Sequence, residues 1–157
     1  MVEPVRYLLR DPDPGVRVDA SGSLARLEHR SEIAAVAICL QDGDAGVRMA
    51  AVNYLATMQS GGEEAWKLIR EAHKDASPKV RMIVAMSLGL GDKKSSAPVL
   101  ADLLGDEDLK VRRAAAKFFG ILVGQNWASK DDTGVQAAQI WWEQHKKDFE
   151  FSPDVKP

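Results

Sequence analysis

Four arginine side chains are among the most regularly spaced charged groups in this sequence. Each directly follows a valine, and the pairs recur at intervals of 31, 33 and 31 residues: Val16-Arg17, Val47-Arg48, Val80-Arg81 and Val111-Arg112. A guanidinium is a planar fork that binds a carboxylate or phosphate through two parallel hydrogen bonds. A row of four could therefore bind anions as a ladder, or each arginine could pair with an aspartate of its own or the adjacent repeat.

Aspartates close to every pair favour the structural alternative. The available carboxylates are those of Asp11, Asp13, Asp42, Asp44, Asp75, Asp106 and Asp108. Exposed ion pairs contribute only about 0 to 1 kcal/mol to stability, so such contacts would fix the register of a stack more than its free energy of unfolding. We expect Arg48, Arg81 and Arg112 to contact carboxylates of turns rather than a ligand.

The remaining chemically active side chains are sparse. His29, His73 and His145 are scattered along the chain, whereas a metal site needs clustered ligands. Cys39 lies in an apolar segment with no histidine near it in sequence, which predicts an inert buried thiol. The pair Gly61-Gly62 is typical of a turn rather than a phosphate loop. We therefore predict no catalytic, cofactor-binding or metal-binding residue, and no enzyme activity.

Length and charge narrow the classes further. The 157 residues suit a single domain, and 45% hydrophobic and 28% charged residues are ordinary for a globular protein. A net charge of −2 gives no global attraction to nucleic acid or to an anionic membrane. There is no apolar run of 18 residues and no secretory signal pattern at the start, so membrane insertion is not expected. We expect a cytoplasmic protein, or a module of a longer exported protein whose compartment is unknown.

The arginines must be positioned by helices, because apolar residues recur around them at helical spacing. Four and eight residues after each valine stand Ala20 and Leu24, Ala51 and Leu55, Val84 and Leu88, and Ala115 and Phe119. Eleven residues after it the stripe continues with Leu27, Met58 and Leu122, whereas Gly91 interrupts it. Three residues before it, Asp13, Asp44, Ser77 and Asp108 can accept from the free amides of a first helical turn. Pro14 and Pro78 suit the first helical position.

A shorter apolar segment precedes each of these helices, so each repeat is predicted to be a helix pair. The first helices are expected at about 3–10, 31–41, 63–74 and 95–104, and the second helices at about 13–29, 44–59, 77–90 and 108–123. The corresponding repeats cover about 3–29, 31–59, 62–91 and 94–123 of one domain over 1–149, and 150–157 is expected to be a flexible tail.

A last helix is predicted at about 132–149, with Asp132 as its N-cap. Val135, Ala138, Trp142 and Phe149 give it one apolar edge. Solenoids need an atypical terminal element to cover the open end of their core, so this helix is interpreted as a cap, with an aromatic ligand site as the alternative.

The recurring phrase Asp-x-Asp-x-x-Val-Arg-x-x-Ala-x-x-x-Leu resembles the HEAT repeats, in particular the short bacterial and archaeal HEAT-like type of the phycobilin lyases. The third copy departs from it with Ser77 and Val84. The resemblance implies an all-α, armadillo-like fold: a right-handed α-solenoid (α-α superhelix) of about four helix pairs plus a C-terminal capping helix. It leaves function open, because such repeats serve scaffolds, lyases, glycosylases and hydroxylases alike. The repeated His-Glu dipeptides of the di-iron hydroxylases do not occur in this sequence.

The resemblance also implies that the second helices line a concave face and contact partners from positions 2, 3, 6 and 10 after the valine. Those positions carry too few cations for nucleic acid, and they are apolar in the middle. An apolar patch with a polar rim marks a partner site, and methionine adapts to its ligand. The candidate partner-binding residues are Met49, Asn53, Met82, Ile83, Met86, Leu90, Arg113 and Lys117. Alternatively, neighbouring repeats of a longer chain, the tail or a homodimer cover this patch.

The functional expectation is a non-catalytic scaffold or adaptor that binds a protein or peptide on the concave face. It would act without a cofactor, as a monomer or weak homodimer. The alternative is a lyase-like enzyme or enzyme subunit that holds a tetrapyrrole in the same groove. That alternative needs an enclosed pocket with several Arg or Asp side chains, for which Arg26, Arg113 and Lys117 are few.

Overall fold

A computed structural model of the chain describes residues 3–27, 30–58, 62–91 and 93–149. These residues form nine α-helices, and no strand occurs among them. The predicted all-α solenoid class is thereby confirmed. The predictions that concern His29, Gly61 and the tail 150–157 fall outside the described residues. The chain divides into two compact units, residues 1–87 and 88–157, which are described separately.

The first unit consists of three consecutive helix pairs. Its α-helices are α1 (Glu3–Tyr7), α2 (Pro14–Arg26), α3 (Arg30–Ile38), α4 (Ala45–Thr57), α5 (Gly62–Glu71) and α6 (Pro78–Leu88), the last of which ends at the unit boundary. The first helix of each pair tightens into a 3₁₀ turn, at Leu8–Arg10, Cys39–Gln41 and Ala72–Lys74. These bounds agree with the sequence predictions to within a few residues.

The predicted apolar stripe forms the core of this unit. Val47, Ala51 and Leu55 of α4 are fully buried, and the equivalent residues of α6 are buried to the same degree. Leu27 was predicted to extend the stripe, and this is wrong: it is 44% exposed. The equivalent Met58 is buried although α4 also ends one residue before it, so the end of α2 at Arg26 is not by itself the cause.

Aspartate side chains begin the second helices as predicted. The Asp44 carboxylate accepts from the amides of Gly46 (2.7 Å) and Val47 (3.1 Å), and Asp13 accepts from Gly15 (2.7 Å). These bonds satisfy amides that have no partner within the helix. Pro14 occupies the first position of α2, where a missing N–H costs nothing.

The arginines after the valines join each repeat to the next. Arg17 binds the Asp42 carboxylate through two hydrogen bonds, Nε to Oδ2 at 2.7 Å and Nη2 to Oδ1 at 2.9 Å. Its third nitrogen, Nη1, donates to the carbonyl oxygen of Asp11 in its own turn at 2.7 Å. Each guanidinium thus holds the backbone of one turn and the carboxylate of the following turn. We name this arrangement the arginine ladder.

The second rung repeats this geometry. Arg48 binds Asp75 through Nε at 2.7 Å and Nη2 at 3.0 Å, and its Nη1 donates to the Asp42 carbonyl at 2.7 Å. The hydrogen bond from Arg17 lowers the pKa of Asp42 below its usual range. Burial raises the pKa of Asp75, but the Arg48 side chain and the Ser77 amide outweigh it, so the net direction is also downward.

The last two arginines, Arg81 and Arg112, donate hydrogen bonds to backbone carbonyls of their own turns. Arg81 Nη1 donates to Asp75 O at 2.8 Å, and Arg112 Nη1 donates to Asp106 O at 2.7 Å. The expected carboxylate partner of Arg112 is not found among the described residues. The ladder ends there because the position five residues before Val135, where earlier repeats have aspartate, holds Lys130.

The second unit consists of α7 (Lys93–Leu103), α8 (Leu109–Val123) and α9 (Thr133–His145), followed by a 3₁₀ turn at Lys146–Phe149. Helix α8 packs against both α7 and α9, and α7 also contacts α9. Gly124 ends α8 in the left-handed conformation, with φ 78°, which an L side chain rarely adopts.

Aromatic rings join α9 to α8. The Phe119 ring is fully buried, and the rings of Trp127, Trp141 and Trp142 meet it edge-on at centroid distances of 5.5, 5.6 and 5.8 Å. Phe149 contacts Trp142 at 5.6 Å. Trp141 and Trp142 therefore both reach α8, whereas the apolar edge predicted from the sequence includes Trp142 alone. This packing is what the predicted cap requires.

The N-terminus of α9 differs from the sequence prediction. Asp132 stands at the N-cap position but makes no capping hydrogen bond with its side chain. The Asp131 carboxylate does so instead, accepting from the Thr133 amide at 3.1 Å. Hydrogen bonds from the Thr133 hydroxyl, the Ser129 hydroxyl and the Thr133 amide lower the pKa of Asp131 to about 2. The Asp132 carboxylate lies 3.4 Å from Arg113 Nε and forms an ion pair with it.

We predict that Trp142→Ala lowers the free energy of unfolding of the second unit by about 3 kcal/mol, because it removes ring contacts with Phe119 and Phe149. Thermal and chemical denaturation followed by circular dichroism measure this loss. Exposed Gln144→Ala, two residues away on the same helix, is the control. Equal melting of Trp142→Ala and the wild type would contradict the role of α9 as a cap.

We predict that Asp42→Asn removes about 2 kcal/mol of stability at neutral pH, because a hydrogen bond to a charged group is lost. The folded-state pKa of Asp42 is lowered, so its contribution is present above the unfolded-state pKa of about 3.9 and is lost as pH falls through the folded-state value. Urea denaturation between neutral pH and pH values below that range should show the two proteins converging in acid. Exposed Asp19→Asn is the control, and a constant difference at all pH values would contradict the assignment.

Candidate functional site

Four of the sequence-predicted residues lie together in the first unit. Met49, Asn53, Ile83 and Met86 line a groove that the second helices α2, α4 and α6 border. Its remaining lining residues are Val18, Gly46, Ala50 and Tyr54, and its volume is about 350 Å³. We name it the second-helix groove. It has the position that the sequence analysis proposed for partner contacts within this unit.

The chemistry of the second-helix groove is apolar with two neutral polar groups. Val18, Ile83 and the two methionines supply aliphatic and thioether surface, whereas Asn53 and Tyr54 supply an amide and a hydroxyl. No charged side chain belongs to its lining among the described residues. Such a surface can bury apolar side chains of a partner and orient it through a few hydrogen bonds.

Exposure of the predicted patch is lower than expected. Met82, Ile83 and Met86 are half-buried, and Met82 is not part of the groove lining. Because the groove draws its walls from three adjacent helices, side chains at these positions rest partly against their neighbours. Asn53 is exposed at the edge.

Tyr54 is a groove residue that the sequence analysis missed. It stands seven residues after Val47, a position outside the contact pattern that the resemblance implied. The signal that could have found it is Gly22 in the preceding repeat. A Cβ atom at Gly22 would lie 2.7 Å from the Tyr54 ring, so the absence of a side chain there makes room for the ring.

Three predicted residues belong to the second unit. Leu90 is 75% exposed, Lys117 places its Nζ 5.2 Å from the centre of the Phe118 ring, and Arg113 is half-buried with its Nε 3.4 Å from Asp132. Arg113 was expected to offer its charge to a partner. Its ion pair with Asp132 reduces the positive charge that it can present, and Lys117 remains exposed.

The other reactive side chains are not brought together. Cys39 is buried, and burial raises the pKa of its thiol to about 11, which keeps it protonated at neutral pH. His73 Nδ1 lies 2.6 Å from the Arg70 carbonyl, and His145 stacks on Trp141 at 4.1 Å. Within the described ranges, no three His, Cys, Asp or Glu side chains are grouped as a metal would require. None of the described helices is long and apolar enough to cross a bilayer.

Comparison with known proteins matches this architecture. The family model described as HEAT repeats matches residues 2–74 and again 65–139. A crystal structure of an engineered protein aligns with a TM-score of 0.51 over 88% of this chain at 20% identity, and the chain spans 66% of that protein's length. At that identity the likeness concerns the fold alone. No curated protein matches the sequence. Since the family model covers most of the chain in two consecutive matches, the protein belongs to the HEAT-repeat family.

Proposed function

We propose that this protein is a non-catalytic scaffold or adaptor, and that the second-helix groove binds a protein or peptide. The observation that carries the proposal is the lining of that groove, which has apolar walls, two neutral hydrogen-bonding groups and two methionines on facing helices. HEAT repeats generally serve as protein-interaction scaffolds, which agrees with this proposal.

The lining also favours a peptide over a tetrapyrrole in this groove. The carboxylates of a tetrapyrrole would require cationic partners, and its large planar ring would require an enclosed pocket. The groove is about 350 Å³ in volume and is lined by apolar and neutral side chains. Aliphatic side chains of a peptide match that surface without an uncompensated charge.

The half-burial of Ile83 and Met86 suits a partner site. Burying a large apolar side chain completely contributes about 1.5 to 3 kcal/mol, and part of that contribution remains available for side chains that are only half-buried. Methionine is flexible and polarizable, so it can adapt its shape to an incoming side chain. Met49 and Met86 lie in the same groove and could do so together.

We predict that Met86→Asp weakens partner binding by about a hundredfold, because it places an unpaired charge in the apolar groove. Proteins captured from the source cell by the wild type are first assigned to the groove by photo-crosslinking from photo-methionine at Met86. Binding of each assigned partner to wild type and variant is then measured by calorimetry. The control is Thr57→Asp, which adds the same charge at an exposed position of α4 outside the groove lining.

Folding must be measured beside binding, since Met86 is half-buried. We expect helicity and the melting temperature of Met86→Asp to remain close to those of the wild type. A collapsed melting transition would mean that Met86 belongs to the core, and the proposal would fail. Undiminished binding by a well-folded Met86→Asp would equally contradict it.

A further inference from the structure

We propose that a second groove, between the first helices α1 and α3, binds an acidic peptide segment that carries a bulky apolar side chain. The groove has a volume of about 510 Å³. Its lining consists of Arg6, Tyr7, Leu9, Arg10, Ala34, Ala35 and Ile38. We name it the first-helix groove. It lies on different helices from the second-helix groove and does not depend on the function proposed above.

The most unusual feature of the first-helix groove is its exposed apolar wall. Tyr7 is 79% exposed and Ile38 is 59% exposed. The repeat spacing relates Tyr7 to Ile38, and these two to Glu71 and Asp102 in the following repeats. The same position is therefore apolar in the first two repeats and acidic in the last two. Because the fold accepts a carboxylate at this position, stability does not require the aromatic and aliphatic side chains of Tyr7 and Ile38.

A neighbouring repeat does not account for this exposure. Ile38 belongs to the second of the three helix pairs in the first unit, so a repeat precedes it and another follows it. It is nevertheless 59% exposed. The equivalent Glu71 is exposed as well. The position thus faces away from the stacking direction, and the apolar wall is available to a separate molecule.

The next groove along the first helices provides an internal comparison. It lies between α3 and α5 and is lined at equivalent positions by Leu40, Gln41, Leu68 and Glu71, with Lys74 beside them. The depression between neighbouring first helices is therefore a property of the fold. The apolar wall, in contrast, distinguishes the first-helix groove from the next one, because the next groove has Glu71 at the position that Ile38 occupies in the first.

Charge indicates what the first-helix groove would accept. Arg6 is fixed by two hydrogen bonds to the buried Glu32 carboxylate, at 2.7 and 3.1 Å. Arg10 is exposed and makes no ion pair with any residue that the structure describes. An apolar side chain of the ligand would rest on Leu9 and Ala35, which are buried, while a carboxylate next to it would reach Arg10. A tyrosine at the rim adds amphipathic contact area at low entropic cost.

The test uses a fluorescein-labelled hexapeptide of sequence Glu-Asp-Phe-Glu-Leu-Asp and fluorescence anisotropy with the full chain. We expect saturable binding that weakens with added salt, because exposed charges contribute. Ile38→Glu introduces the side chain that the third repeat already carries, and Arg10→Glu reverses the free cation. Each should weaken binding by about tenfold or more while the melting temperature stays unchanged.

Two controls separate local recognition from general attraction. Lys74→Glu changes the net charge by the same amount as Arg10→Glu but lies at the next groove, so binding should remain within about twofold of the wild type. A peptide with lysine in place of every acidic residue should bind at least about tenfold more weakly. The Met86→Asp variant should bind the acidic peptide as tightly as the wild type does. This result separates a failure of the present proposal from a failure of the function proposed for the second-helix groove.

Several results would overturn the proposal. One is no saturable binding of the acidic peptide, and another is equal binding of the lysine peptide. Equal weakening by Lys74→Glu and Arg10→Glu would show that net charge alone attracts the peptide. A concentration-dependent dimer that Ile38→Glu abolishes, detected by light scattering, would show that a second copy of the chain occupies the groove instead.

Discussion

The two-sided contact of each ladder arginine sets the geometry of the first unit. Arg17 and Arg48 each hold a carbonyl oxygen of their own turn and both oxygens of the next aspartate. A planar fork with five fixed donors can meet both demands at once, whereas the single ammonium of lysine cannot. Because removing both charges from water is costly, the pair contributes register more than net stability. The apolar stripe supplies the burial, and the ladder determines which residues of neighbouring repeats face each other.

Once stacking is fixed in this way, positions outside the ladder and the stripe can change without loss of the fold. The series Tyr7, Ile38, Glu71 and Asp102 shows this freedom at one surface position. In such repeats, the side chains that are the same in every copy stabilise the fold. Function therefore resides in the side chains that differ between copies. The four ladder arginines are side chains of the kind that is the same in every copy. Their donors bind turn carbonyls and, in the first two rungs, carboxylates, so an anion-binding role for the ladder is not supported.

Helices, caps and the first two rungs were predictable because each depends on spacing along one chain. Val47, Ala51 and Leu55 repeat at four-residue intervals, and an aspartate three residues before the valine identifies the helix start. Predictions failed where a second segment decides the outcome. Asp132 forms an ion pair with Arg113 while Asp131 accepts the capping hydrogen bond, and Gly22 leaves room for the Tyr54 ring. Neither contact follows from the spacing of the repeats, so neither could be predicted from the repeat pattern.

The half-burial of the second-helix groove also bears on how it could bind. A fully exposed methionine has many rotamers, and binding must restrict them at a cost of about 0.5 to 1.5 kcal/mol for each immobilised side chain. Ile83 and Met86 are already restrained by the neighbouring helices that share the groove. Less ordering is then left for the binding step, although less apolar area is left to bury as well. The two effects oppose each other, so a half-buried surface favours a small, well-fitted ligand segment over a large flat partner.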